Sequence, residues 1–278
     1  MTQITQGSVI SGVRSDKYEK TNCYAIVINA RCDLAQDKIN KVYYIIAIPL
    51  NDWIFTSYGY QTIFCKKAKD VSGRIKSNVS GGGLSWEDLK DFSIDDFDTV
   101  ISSSDLKNDK KEQAKIDFRE YKHLTSERAT RNDMLNAIKT HKKDINIFLG
   151  EMSNGKNANF LLLPESALKG GSLSRGIVVD LRELDYFNMP QIDSLVKDKI
   201  DSHNIKLTQD EKELYHKRFF VLEEPGYSTI LDEVSSPWIE FIVQRFVNAF
   251  IRVGVDNITQ QQIESTISKI IEEGEKDI

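Results

Sequence analysis

The chain has 278 residues, room for one or two domains at roughly 150 residues each. Apolar residues make up 40% and charged residues 28%, which excludes wholesale disorder, collagen-like repeats and a small disulfide scaffold. Lys and Arg number 37 against 42 Asp and Glu, a net charge of −5, so there is no global positive field for non-specific nucleic-acid binding and any such site is a local patch.

The first residues, Met1 to Gly7, lack the basic and apolar regions of a secretory leader, and no apolar run approaches the roughly 20 residues of a membrane span. Three cysteines, at 23, 32 and 65, form neither a paired framework nor a C-x-x-C clip, which points to reduced thiols and a cytoplasmic location. From residue 4 to 66 the chain is written in β-branched and aromatic runs: Val9, Ile10 and Val13, then Tyr24 to Ile28, Val42 to Ile48, Trp53 to Phe55, and Ile63 to Phe64. The spacers, Arg14 to Asn22 and Leu34 to Lys41, are short and polar, which fits antiparallel hairpins and a small barrel or curled sheet over residues 1–71.

Residues 72–144 read as a linker and an inserted helical region. Gly81, Gly82 and Gly83 give a flexible, linker-like stretch, and Ser85 is placed to cap a short helix carrying Trp86, Leu89 and Phe92. Glu87 to Asp98 holds six acids and one Lys, whereas Lys107 to Asp144 holds eleven Lys or Arg against seven acids. In that basic region Ile116, Tyr121, Leu124, Met134, Leu135 and Ile138 fall at helical spacing, predicting two helices with Thr125 capping the second.

Residues 145–278 read as strands followed by helices, packed with the barrel as one unit. Ile145 to Leu149, Ala158 to Leu163 and Gly176 to Leu181 are the expected strands. Thr208 with Glu211 and Thr259 with Gln262 have capping-box spacing. Ser236 and Pro237 start a helix that Gly254 ends, and its stripe of Trp238, Ile239, Ile242, Val243, Phe246, Val247, Phe250 and Ile251 is expected in the core. The expected fold class is α+β: an N-terminal antiparallel barrel or curled sheet, inserted basic helices, further strands and a helical C-terminal region.

Arg31, Cys32 and Asp33, after the strand Tyr24 to Ile28, form the candidate site on chemical grounds, because a thiol beside a carboxylate at a strand end offers a nucleophile or half a metal site. An adjacent anion opposes thiolate formation, so a buried thiol and a turn-forming Asp is the favoured reading. Zinc would need Cys23, Cys32, Cys65 and one of His123, His141, His203 or His216, but a strand of about eight residues holds Cys23 and Cys32 roughly 25 to 30 Å apart. No metal and no cofactor is expected. The triple glycine lacks the Lys and Ser/Thr of a phosphate-binding loop. Lys122, Arg128, Arg131 and Lys139 are the candidates for a nucleic-acid or anion site, with a solvated, internally paired helix face as the favoured alternative.

Gln6, Gly7, Ser8, Val9, Ile10 and the later Cys32, Asp33, Leu34 resemble bacterial proteins of unassigned function that open on a "G-D-I" strand and carry a "Q-x-C-D-L" turn. Ser236, Pro237, Trp238, then Gln244, Arg245, Phe246, and Arg252, Val253, Gly254 are similar to the "S-P-W…Q-R-F…R-I-G" stretch near their carboxy terminus. This resemblance implies an accessory role in anti-phage defence loci. The opening strands also look like the MazF/PemK toxin barrel, which implies RNA cleavage, though only Gly7 and the strand Tyr24 to Ile28 map onto it. The sequence thus favours a non-enzymatic adaptor or sensor subunit whose partner is an ATPase or nuclease of the same locus. The alternative is a nucleic-acid-binding or RNA-cleaving module.

Overall fold

The computed structural model describes residues 4–251 except 19–20, 37–38, 127–128, 172, 174–175 and 189–228. Six strands form one antiparallel sheet: β1 (Ser8–Val13), β2 (Cys23–Val27), β3 (Lys41–Pro49), β4 (Phe160–Leu163), β5 (Ile177–Asn188) and β6 (Ile230–Glu233), in the spatial order β4-β5-β3-β2-β1-β6. The sheet curls into a half-barrel. Between β3 and β4 the chain inserts seven helices: α2 (Leu50–Trp53), α3 (Ser57–Ser80), α4 (Trp86–Leu89), α5 (Ile94–Ser103), α6 (Asn108–Thr125), α7 (Arg131–Thr140) and α8 (Lys142–Ser153). A short α1 (Arg31–Ala35) precedes them and α9 (Trp238–Ile251) follows the sheet. The fold is α+β, a curled antiparallel sheet with inserted helices and a helix after its last strand.

Strand alternation divides the core. Ile10, Ala25, Val27, Val42, Tyr44, Ile46, Ile48 and Val178 face the inserted helices, where Trp53, Phe64, Val71, Phe97 and Phe118 meet them. Val9, Ile26, Ile45, Ala47, Val179 and Leu181 point the other way, toward Ile239 and Ile242 of α9. Both faces are covered, which is why these strands read as continuous apolar runs.

Several local expectations change. Trp53 to Phe55 and Ile63 to Phe64 are not strands: Trp53 ends α2, and Ile63 and Phe64 lie on the 24-residue α3, which runs unbroken through residues 71 and 72. Tyr60, Ile63, Phe64, Ala68, Val71, Ile75 and Val79 are its buried positions, a helical period that a two-residue window conceals. Ile145 to Leu149 lies on α8, with Ile145 and Met152 buried at a spacing of two turns. Thr125 ends α6 instead of starting α7; Thr130 is the cap, and its side chain and that of Asp133 form a reciprocal capping box. Among the described side chains of the expected stripe on α9, Ile239 and Ile242 are fully buried, Trp238, Val243 and Phe246 are partly buried, and Val247 is 45% exposed; the side chains of Phe250 and Ile251 lie outside the described ones. The capping boxes at Thr208 and Thr259, and the helix end at Gly254, lie outside the described residues, as do Arg128, His203 and His216.

Two irregularities interrupt the sheet. Ser11 pairs Tyr24 and Val13 pairs Cys23, leaving Gly12, at φ +70°, as an extra residue in β1. Ile45 pairs Leu184 while Ala47 pairs Val179, so residues 180 to 183 of β5 bulge opposite Ile46 alone. A bulge re-aims side chains. Asp180 and Glu183 would point to opposite faces of a regular strand, yet here both reach the same lysine.

Candidate functional site

The bulge and a short 3₁₀ turn, Asp16–Tyr18, are in direct contact. Asp180 is fully buried, and its Oδ2 accepts a 2.7 Å hydrogen bond from Lys17 Nζ and a 2.6 Å bond from the Tyr18 hydroxyl. Its Oδ1 accepts from the Arg182 backbone N–H at 3.2 Å. Glu183 Oε1 lies 3.5 Å from the same ammonium, and Ser15 Oγ donates to Glu183 Oε2. The ammonium also sits over the Tyr58 ring, 4.1 Å from its centroid. A buried carboxylate is tolerable only when paired and hydrogen-bonded, and this one has both.

Lys17, Tyr18 and Tyr58 of this network line a cleft of about 560 Å³, with the fully buried Asp180 behind them, a volume within the range of about 300 to 1,000 Å³ usual for small-molecule sites. One wall is the turn and loop that carry Asp16, Thr21 and Asn22; the other is the α2–α3 junction with Asp52, Phe55, Ser57 and Tyr58. That junction is tight. Thr56 caps α3 by accepting from the Gly59 N–H at 2.9 Å, and a Cβ at Gly59 would lie 2.0 Å from the Trp53 carbonyl oxygen, so only glycine fits. Arg131, the first residue of α7, closes the cleft with its guanidinium carbon 4.1 Å from the Phe55 ring centroid.

The floor shifts titrations. Burial, then the charge and hydrogen bond of Asp180, push the Tyr18 hydroxyl far above its ordinary value. Burial pulls Lys17 down, but the hydrogen bond and charge of Asp180, with a smaller contribution from Tyr58, outweigh it and hold the ammonium above its ordinary value. Burial and then the Glu183 carboxylate push the Cys23 thiol from 9.0 up to about 12. All three groups keep in the folded state a proton that the unfolded chain gives up near pH 9 to 10. Their stabilisation is therefore complete below pH 9 and is lost as pH rises toward the folded values. Urea unfolding should give a stability that falls above pH 9, each of Tyr18 and Cys23 contributing up to about 1.4 kcal/mol per pH unit where it titrates only in the unfolded chain. Tyr18→Phe should make that fall shallower; a stability unchanged from pH 8 to 10.5 contradicts the assignment.

The residues singled out from the sequence do not converge. Arg31, Cys32 and Asp33 lie on α1 at the surface, where Cys32 Sγ is 3.5 Å from Asp33 Oδ1 and Arg31 is 3.9 Å from Glu233. Glu233 is held more closely by Lys169, at 2.8 Å. No group of three His, Cys, Asp or Glu among the described residues is arranged to hold a metal. On α6, Lys122 donates to the Lys90 carbonyl at 2.8 Å, Arg119 pairs with Asp98, and Asp117 and Glu120 bind Arg74 of α3. Lys122, the candidate on α6, is thus engaged within the helical layer. Lys139 is exposed near the far end of α7, two turns from Arg131. Of the three described anion candidates, Lys122, Arg131 and Lys139, Arg131 alone joins the cleft.

Lys17, Tyr18, Asp180 and Tyr58 escaped the sequence reading. The available signal was Asp180, a carboxylate inside the apolar run Ile177 to Leu181, where a central strand has no solvent to offer it. Among the described residues no helix is long and apolar enough to cross a membrane. Comparison of the chain with protein-family models, with curated proteins and with solved structures gives no match.

Proposed function

We propose that the chain is a non-enzymatic sensor or adaptor subunit of a bacterial multi-protein system, of the anti-phage defence kind, that holds a small polar ligand in the Lys17–Asp180 cleft and acts through contacts with another subunit. The observation that carries this reading is the floor of the cleft. Its lysine, tyrosine and aspartate satisfy one another within 2.7 Å, which makes a rigid, preformed base for binding. A nucleophile would need a base free to take its proton, and here the carboxylate is committed to three donors, Lys17, Tyr18 and the Arg182 N–H. The defence setting and the choice of an ATPase or nuclease as partner rest on the resemblance of the two ends of the chain. The partly uncovered apolar side of α9, Val247 in particular, supports a contact surface there.

Nucleic-acid binding is the second reading; it depends on Arg131 and Lys139 together with Arg128, which lies outside the described residues, because Lys122 is engaged within the fold. Co-expression with the products of adjacent genes, followed by size-exclusion chromatography, decides between the two when run beside RNA and DNA binding across a salt series. The adaptor reading predicts a co-eluting neighbour and no nucleic-acid complex. A complex with RNA or DNA that weakens steeply with salt, with no neighbour co-eluting, overturns it.

A further inference from the structure

The cleft carries charges of both signs that the fold leaves unspent. Among the described residues Arg131 forms no ion pair; its one contact of that kind is with the Phe55 ring. Asp16 and Asp52, on the two opposing walls, likewise form no ion pair. Lys17, by contrast, is spent on Asp180 and Glu183. The two aromatic rings that could stack a planar ligand already carry cations, Tyr58 under Lys17 and Phe55 under Arg131. An apolar or aromatic molecule therefore finds little to bind.

A ligand with a single charge gains from one part of this cleft and is repelled by the other. A ligand with both charges is complementary to all of it. We infer that the cleft takes a zwitterion of amino-acid or short-peptide size, its carboxylate on Arg131 and its ammonium on Asp16 and Asp52. The planar guanidinium fork matches a carboxylate, and the Thr21 and Asn22 side chains along the same wall are suited to amide and hydroxyl groups of the ligand. The assignment rests on reading the cleft as a ligand site.

Calorimetric titration of the full chain tests it, with pools of the twenty free L-amino acids and with glycylglycine. N-acetylated and C-amidated forms of any binder come next, then inorganic phosphate and adenosine monophosphate. At least one zwitterion should bind, and blocking either of its ends should weaken it about tenfold or more, as should Arg131→Ala and Asp52→Asn. Lys139→Ala should change nothing. Binding of phosphate or the nucleotide with the amino acids and the dipeptide silent overturns the zwitterion assignment and leaves the cleft a ligand site. Absence of binding by every probe at millimolar concentration overturns both.

Discussion

Asp180→Ala should cost the protein about 3 kcal/mol of folding stability, and Lys17→Met should cost a similar amount. Removing one member of a buried ion pair typically costs about 3 to 5 kcal/mol because the other is left without compensation. The lower end applies here for two reasons. Lys17 retains Glu183 at 3.5 Å and is 19% exposed, while Asp180 without Lys17 still has the Tyr18 hydroxyl and a backbone N–H. The double variant Lys17→Met with Asp180→Asn removes both charges and keeps an acceptor for Tyr18, so it should recover about 1 kcal/mol or more relative to Lys17→Met alone. Denaturant unfolding of these variants and of Asp180→Asn alone measures this, the last closing the cycle with Lys17→Met. Additive losses would mean that the two side chains do not act as a pair.

Trp53→Ala is expected to remove about 3 to 5 kcal/mol, as for a large aromatic deleted from a core that cannot collapse around the gap. Trp53 is fully buried at the end of α2, its ring parallel to Phe148 of α8 at 6.5 Å and tilted against Phe160 of β4 at 5.4 Å. It joins α2 to the consecutive elements α8 and β4 far along the chain, and its carbonyl packs on Gly59 beneath the cleft wall. The variant should lose ligand affinity together with stability. A midpoint shift equivalent to less than 1 kcal/mol would contradict this placement.

The sheet was largely legible because its strands are apolar on both faces and carry β-branched residues that fit a pleated surface. Tyr24 to Ile28 and Val42 to Ile48 became β2 and β3, with ends that differ by no more than one or two residues. Helices were lost where short apolar pairs stand alone: Ile63 and Phe64 carry no period until Tyr60 and Ala68 are set beside them. The cap of α7 lies at Thr130, not Thr125, because only Thr130 has a partner, Asp133, that completes the reciprocal pair. β6 had no local signal, since Ile230 finds its partner Ile10 some 220 residues earlier.

The cleft was less legible for a physical reason. Its Lys17 is held from behind by a bulge that turns Asp180 and Glu183 toward it, and bulges leave no periodic trace. Lys17 and Tyr18 lie in what reads as a polar spacer. The chemically suggestive Cys32 and Asp33 proved to be surface residues of α1, whereas Arg131, chosen for its charge alone, reached the site.

Binding without conversion is the claim on which the functional account stands, and ligand-observed magnetic resonance reads both halves in one sample. Saturation transfer from the full chain to a mixture of small polar zwitterions and anions, followed over hours, should mark at least one molecule whose own spectrum stays unchanged, and Arg131→Glu should abolish the transfer. A marked molecule whose resonances are replaced by those of a product would contradict the account, as would transfer that survives the charge reversal at Arg131.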